Sequence, residues 1–368
     1  MIIAIAIIIA LSFPVIFLIL LRRYDLMETG KPWKNFVTLI FGIGDYYLAA
    51  QINPAMVNAG WVTWDQVVRI TAPIIEEVLK SLIIIYLVSR ADSNYVVDGA
   101  IYAFGAGIGF AMIENIEYIN RNTEIALIVA LARVFSTNLV HATGTGLIGT
   151  ALAYRRGDTV TWRGWAFVIN GYFMAIFFHA IFNSLVTDGL AIAFAIGYGV
   201  LGVFLIAYLI RRGLSIQKDW VTETLGEADR VTQEETKVIR YIETVDKALK
   251  PIEQRFGYEK TQLVRTLIFK QAEIGIKKKL LETDSNAGRK LEVQKIINTL
   301  LLEMEDLRDK IGWNCMLMFR QVYAGQAMQV FTLLNARIAA AGLGQKGGGL
   351  WNQITERMKQ PASEEDKS

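Results

Sequence analysis

Residues 2–21 read IIAIAIIIALSFPVIFLILL, twenty residues without one charged side chain, and further apolar stretches of similar length follow up to residue 212. A run of about 20 apolar residues matches the thickness of a bilayer's hydrocarbon core. Lipid offers no partner for backbone N–H and C=O groups, so such runs can only be helices that satisfy themselves. Spans are expected at 2–21, 36–53, 72–89, 98–118, 124–153, 164–187 and 190–210. The second should be irregular or partly re-entrant, because it carries Asp45, Gly42 and Gly44 and ends near Asn53-Pro54. Asp188-Gly189 supplies a tight turn between the last two. The expected fold class is all-α, a polytopic transmembrane helix bundle followed by a cytoplasmic helical, coiled-coil-like domain.

Charge divides the chain. It is 53% hydrophobic with mean hydropathy +0.34, too apolar for an ordinary soluble protein. Of its 73 Lys, Arg, Asp and Glu residues, only 27 fall in residues 1–212. The expected organisation is a membrane domain over 1–212, a water-facing helical domain over 213–341 and a flexible polar tail over 342–368. A net charge of +3 gives no nucleic-acid footprint. The single cysteine, Cys315, cannot form an intrachain disulfide.

Arg22, Arg23, Lys31, Lys34, Arg90, Arg155, Arg156, Arg163, Arg211 and Arg212 all fall on one side of a seven-span arrangement. The positive-inside rule then puts the N-terminus outside and the C-terminal domain in the cytoplasm. No basic residue precedes the first apolar run, so it reads as a retained helix rather than a cleaved signal.

Ionisable groups at membrane depth are costly, and by default they mark a functional site. Glu76, Glu77, Glu114, His141 and His179 lie in four different spans, and the chain has no other histidine. Glu76 and Lys80 are four apart and can face each other on one turn, so Lys80 could neutralise one carboxylate and leave the other for chemistry; Glu77 points about 100° away, which gives the two different tasks. A bland alternative is two acids favouring the helix N-terminus after Pro73. Glu114 follows Gly105, Gly107 and Gly109, small residues that permit close helix packing. Asn138 and Thr145 flank His141 by one turn and should orient its imidazole. Asn183, one turn after His179, could donate to a developing oxyanion. Either histidine alone could be structural; two together point to chemistry.

Two imidazoles and one carboxylate make a Zn²⁺ ligand set with a position left for water, here Glu114, His141 and His179. A second carboxylate would then be the general base. A metal-free scheme, in which Glu and His jointly activate water, stays open. Asp45 and Arg133 are further charges in apolar stretches and read as structural pairs.

The set Glu76-Glu77-x-x-Lys80, Phe110-x-x-x-Glu114-Asn115, His141-x-x-x-Thr145-Gly146 and His179-Ala-x-x-Asn183 resembles the PrsW family of intramembrane proteases, itself distantly similar to CAAX-prenyl-protease and bacteriocin-immunity membrane proteins. The resemblance spans roughly residues 36–210. It implies a polytopic protease of a bacterial or archaeal cytoplasmic membrane, acting near the outer leaflet on a membrane-anchored protein such as an anti-sigma factor. By motif position it implies Glu76, Glu77, Glu114, His141 and His179 as catalytic or metal-binding residues, and metalloprotease chemistry. The large C-terminal domain lies outside the family pattern.

In that domain Val238, Ile242, Val245, Leu249, Ile252 and Phe256, and then Val293, Ile297, Leu300, Met304, Leu307 and Ile311, recur at helical spacing. A helical bundle or antiparallel coiled-coil hairpin about the polar turn 283–288 follows, with a kink at Pro251. Residues 315–341 read as a buried bundle helix. No catalytic motif is present there; self-association or a cytoplasmic partner bound through 230–341 is the expected role. Two other classes compete with a peptidase: a non-catalytic scaffold or receptor, and a small transporter, for which no inverted repeat speaks.

Overall fold

The computed structural model describes residues 1–21, 32–93, 96–157, 161–185, 191–226, 231, 245–284 and 286–323. All regular structure among them is helical. The α-helices longer than two turns are α1 (Ile2–Leu21), α2 (Pro32–Asn58), α3 (Ala72–Ser89), α4 (Val96–Arg121), α5 (Ala126–Val134), α6 (Thr137–Gly157), α7 (Thr161–Leu185), α8 (Ala191–Thr224), α9 (Val245–Thr283), α10 (Ala287–Ile311) and α11 (Trp313–Tyr323). The turn at 188–189, the tail 342–368, the residues 324–341, and Val238 and Ile242 lie outside the described residues.

Helix α4 is the axis of the membrane bundle. Almost all of its apolar window is buried, whereas α1 and α7 bury under a quarter of theirs. It is flanked by α2 on one side and α6 on the other. Gly107 makes the second contact possible, since a Cβ there would lie 2.6 Å from the backbone oxygen of His141. The bundle's outer faces are apolar: Ile8, Ile16 and Ile19 of α1, Ile169 and Phe173 of α7, and Leu201 and Phe204 of α8 are exposed. In water such a surface would be strongly unfavourable; against lipid it is matched. The protein is an integral membrane protein.

Among the described residues, five stretches are long and apolar enough to cross a membrane: α1, α4, residues 123–156, α7 and α8. Helix α2, with Lys34 and Asp45, and helix α3, with Glu76, Glu77 and Lys80, are not in that set. The second expected span is not irregular: α2 runs unbroken through Gly42, Gly44 and Pro54. The fifth is broken. The chain turns at Phe135-Ser136, where Ser136 N–H donates to Arg133 O at 3.3 Å. His141 therefore stands near the start of α6, not deep within one long helix. A π-helical turn at Val67–Thr71 leads into α3.

Helix α8 continues through Arg211-Arg212 to Thr224. At 1.5 Å per residue its 34 residues reach about 51 Å, beyond the ~30 Å core. The projecting end carries the C-terminal unit: Thr224 Oγ1 donates to Gly275 O of α9 at 2.9 Å. Helices α9 and α10 form an antiparallel hairpin. Val293, Ile297, Leu300, Met304, Leu307 and Ile311 are buried, as their spacing predicts, together with Val245, Leu249 and Ile252. Pro251 is accommodated without a break; the kink falls at Gly257, whose φ of 83° is costly for any residue with a Cβ. Asn286 caps α10 by accepting from Arg289 N–H at 2.9 Å.

Candidate active site

The five candidate residues converge on one place. They come from α3 (Glu76, Glu77), α4 (Glu114), α6 (His141) and α7 (His179). The imidazole centroids of His141 and His179 are 4.7 Å apart, nearly perpendicular. Phe110 packs against His141 at 5.0 Å and lies under the Lys80 ammonium at 4.8 Å. This closes the inner side of the site with an aromatic face.

Lys80 is the hub, with a register different from that expected. Its Nζ donates to Glu77 Oε1 at 2.6 Å, not to Glu76, and lies 2.8 Å from His141 Nδ1. Lys80 and Glu77 are both fully buried. Positions i+3 and i+4 are equally near on a helix, so sequence alone leaves the choice open. The second carboxylate oxygen of Glu77 accepts from Thr145 Oγ1 at 3.4 Å. His179 Nδ1 lies 3.0 Å from Glu77 Oε1. This is the carboxylate–imidazole support usual behind a metal-binding histidine. It fixes the proton on Nδ1 and leaves Nε2, 3.7 Å from Glu76 Oε2, with a free lone pair.

His141 is held at both ring nitrogens. With Lys80 an ammonium, Nδ1 accepts, and Nε2–H faces Glu114 Oε2 at 3.0 Å. Arg133 Nη2 binds that same oxygen at 2.9 Å, while its guanidinium lies 3.6 Å from the Tyr118 ring centroid. Arg133 Nε also donates to Asn115 Oδ1 at 2.8 Å, and Asn115 Nδ2 to Asn138 Oδ1 at 3.0 Å. The break after α5 is what brings Arg133 to Glu114.

Several expected partnerships are replaced. Asn138 and Thr145 do not flank the His141 ring; Lys80 and Glu114 do. Asn183 Nδ2 donates to Val68 O at 2.9 Å, tying α7 to the π-helical turn. Arg133 is paired as expected, whereas the buried Asp45 Oδ2 has no hydrogen-bond partner among the described residues. Arg133 and Asn115 were missing from the candidate site. The available signal was a lone cation in an apolar run and an amide adjacent to Glu114.

Glu76, His141 and His179 each offer a ligand atom, all within 4.8 Å of one another. The carboxylate in this compact trio is Glu76, not Glu114. Two imidazoles and a carboxylate suit Zn²⁺ and its neighbours. Glu76 Oε2 and His179 Nε2 stand 3.7 Å apart; to offer Nε2, His141 would have to give up its proton there as well as its contact with Glu114. On donor chemistry the residues fit.

Comparison with known proteins gives one family. Residues 31–210 match the family model described as PrsW family intramembrane metalloprotease. No curated protein and no solved structure matched the chain.

Proposed function

Because residues 31–210 belong to the PrsW family of intramembrane proteases, we propose that the cluster on α3, α4, α6 and α7 hydrolyses a peptide bond in a single-span, membrane-anchored protein. The observation that carries this is the meeting of Glu76, His141 and His179, from three helices, within 4.8 Å. These three would hold a divalent cation. When bound, it would polarise the scissile carbonyl and lower the pKa of an attacking water.

The chain's own groups divide the remaining work. Glu77 fixes the tautomer of His179, and Lys80 anchors Glu77 through its 2.6 Å contact with Oε1. Glu114 is the proton carrier. Its contacts with Arg133 and His141 both use Oε2, so Oε1 remains for a proton. Oε1 takes the proton of the attacking water and returns it to the leaving amine as the C–N bond breaks. Glu114 and Glu76 are the most exposed members, 22% and 13%, which makes their side the entrance. By the positive-inside pattern this entrance faces the extracytoplasmic half of the membrane, with α2 and α3 also crossing and the C-terminal unit in the cytoplasm.

The test is cleavage of a panel of single-span substrates by purified protein in proteoliposomes. His179→Ala should abolish cleavage. Glu114→Gln should lower kcat by about 10²–10⁴, the usual span for general acid–base catalysis. Both variants should still express and fold, with a lower thermal stability than wild type because each loses a partly or fully buried polar partner. Wild-type rates in both would refute the assignment.

A further inference from the structure

The end of α3 is held in an unusual way. A helix leaves its last carbonyls without partners, and its C-terminus carries partial negative charge. Here Arg90 follows α3 in extended backbone, and no glycine caps it. Instead three cations from three different helices take the carbonyls of residues 88–93. Arg156 of α6 donates to Val88 O at 2.9 Å and to Ser93 O at 3.0 Å. Lys277 of α9 donates to Ala91 O at 2.7 Å and Ser93 O at 3.1 Å. Arg289 of α10 donates to Ser89 O at 3.0 Å.

Two of the three cations belong to the C-terminal unit. Lys277 is fully buried, which a lysine tolerates only when its ammonium is bound. Arg289 is itself braced by Asp284, whose Oδ1 accepts from Nη2 at 2.8 Å. The helix they grip is the one that bears Glu76, Glu77 and Lys80. From Val88 back to Glu77 is about 16 Å along a continuous helix. A rigid helix transmits an axial shift along its length, and reactive geometry is sensitive to displacements of about 1 Å.

We propose that the C-terminal unit positions the active-site helix through Lys277, so that peptidase output depends on how α9 is seated on the 88–93 segment. Lys277 is a positioning residue: it touches no reacting group and acts through the placement of Glu76 and Glu77 against His179. The proposal rests on the peptidase reading for its rate effect, but not for its structural effect, and the two are measured separately.

The experiment uses the full chain in nanodiscs, in a Cys315→Ser background. Spin labels are placed at Tyr86→Cys on α3 and Phe173→Cys on α7, both exposed positions. Lys277→Met should shift or broaden the distance distribution. It should lower kcat at least tenfold with KM within twofold of wild type, and Lys277→Arg should restore both. Arg289→Gln, nearer the surface, should move both readouts in the same direction by less, and serves if the Met variant does not fold. An unchanged distance distribution overturns the proposal, as does a shifted distribution with unchanged kcat. If the unsubstituted protein cleaves nothing, the peptidase reading fails, and the distance distributions alone decide whether Lys277 sets α3.

Discussion

Substitution of Lys80 isolates the electrostatics of the site. Its ammonium lies 2.6 Å from Glu77 Oε1, and both side chains are fully buried. Lys80→Met keeps most of the volume but leaves the Glu77 carboxylate without its cation. Removing one partner of a buried ion pair costs about 3–5 kcal/mol, because an uncompensated charge remains. Glu77→Gln leaves the ammonium unpaired instead and should cost a similar amount, less what His141 Nδ1 still accepts at 2.8 Å. In the double variant no buried charge is stranded, and replacing a whole pair is often close to neutral. The double variant should therefore recover at least ~2 kcal/mol relative to the sum of the singles. The assay is the unfolding free energy in mixed micelles, followed as a double-mutant cycle. Single losses below about 1 kcal/mol, or losses that simply add, would refute the hub role of Lys80.

Three further outcomes are expected. Gly107→Ala puts a methyl 2.6 Å from His141 O, so α4 and α6 must separate; stability should fall by about 1–3 kcal/mol and cleavage with it, measured together by unfolding and proteoliposome assay. Asn183→Ala removes one hydrogen bond to Val68 O, about 0.5–1.5 kcal/mol, and should change kcat less than threefold; a loss as large as that of His179→Ala would place Asn183 at the reacting bond. Burial pushes the Lys277 ammonium down from 10.5 to about 7. Between those values the unfolded chain binds a proton the folded chain does not, so stability rises with pH from about 7 towards 10.5. That rise should vanish in Lys277→Met, and an identical pH profile in both proteins would contradict it.

Much of the architecture is legible in the residues, for stated reasons. Apolar runs with no charge can only be helices in lipid, and the stripe from Val293 to Ile311 can only be a buried helix face. The two histidines identify the site because they are the chain's only imidazoles and both fall within apolar stretches that also carry carboxylates nearby in space. What the sequence hides is register and long-range pairing. Lys80 can reach either Glu76 or Glu77 along one helix, and only the arrival of His141 and His179 from α6 and α7 selects Glu77. The pairing of Glu114 with Arg133 is equally hidden, because the turn at Phe135-Ser136 that brings them together carries neither glycine nor proline. The kink at Gly257 rather than Pro251 has the same character. A proline in a helix advertises itself, whereas a glycine at positive φ is silent until the tertiary path requires it. The double arginine at 211–212 reads as the end of a span, yet α8 passes through it because the helix goes on to carry the C-terminal unit.

Metal content of purified protein, measured per chain after dialysis against a divalent cation, tests the site most directly. Wild type should retain one ion per chain; Glu76→Gln and His179→Ala should lose it, and Glu114→Gln should keep it while its kcat falls. Retention by Glu76→Gln together with loss in Glu114→Gln would contradict the trio of Glu76, His141 and His179 and return the ligand role to Glu114.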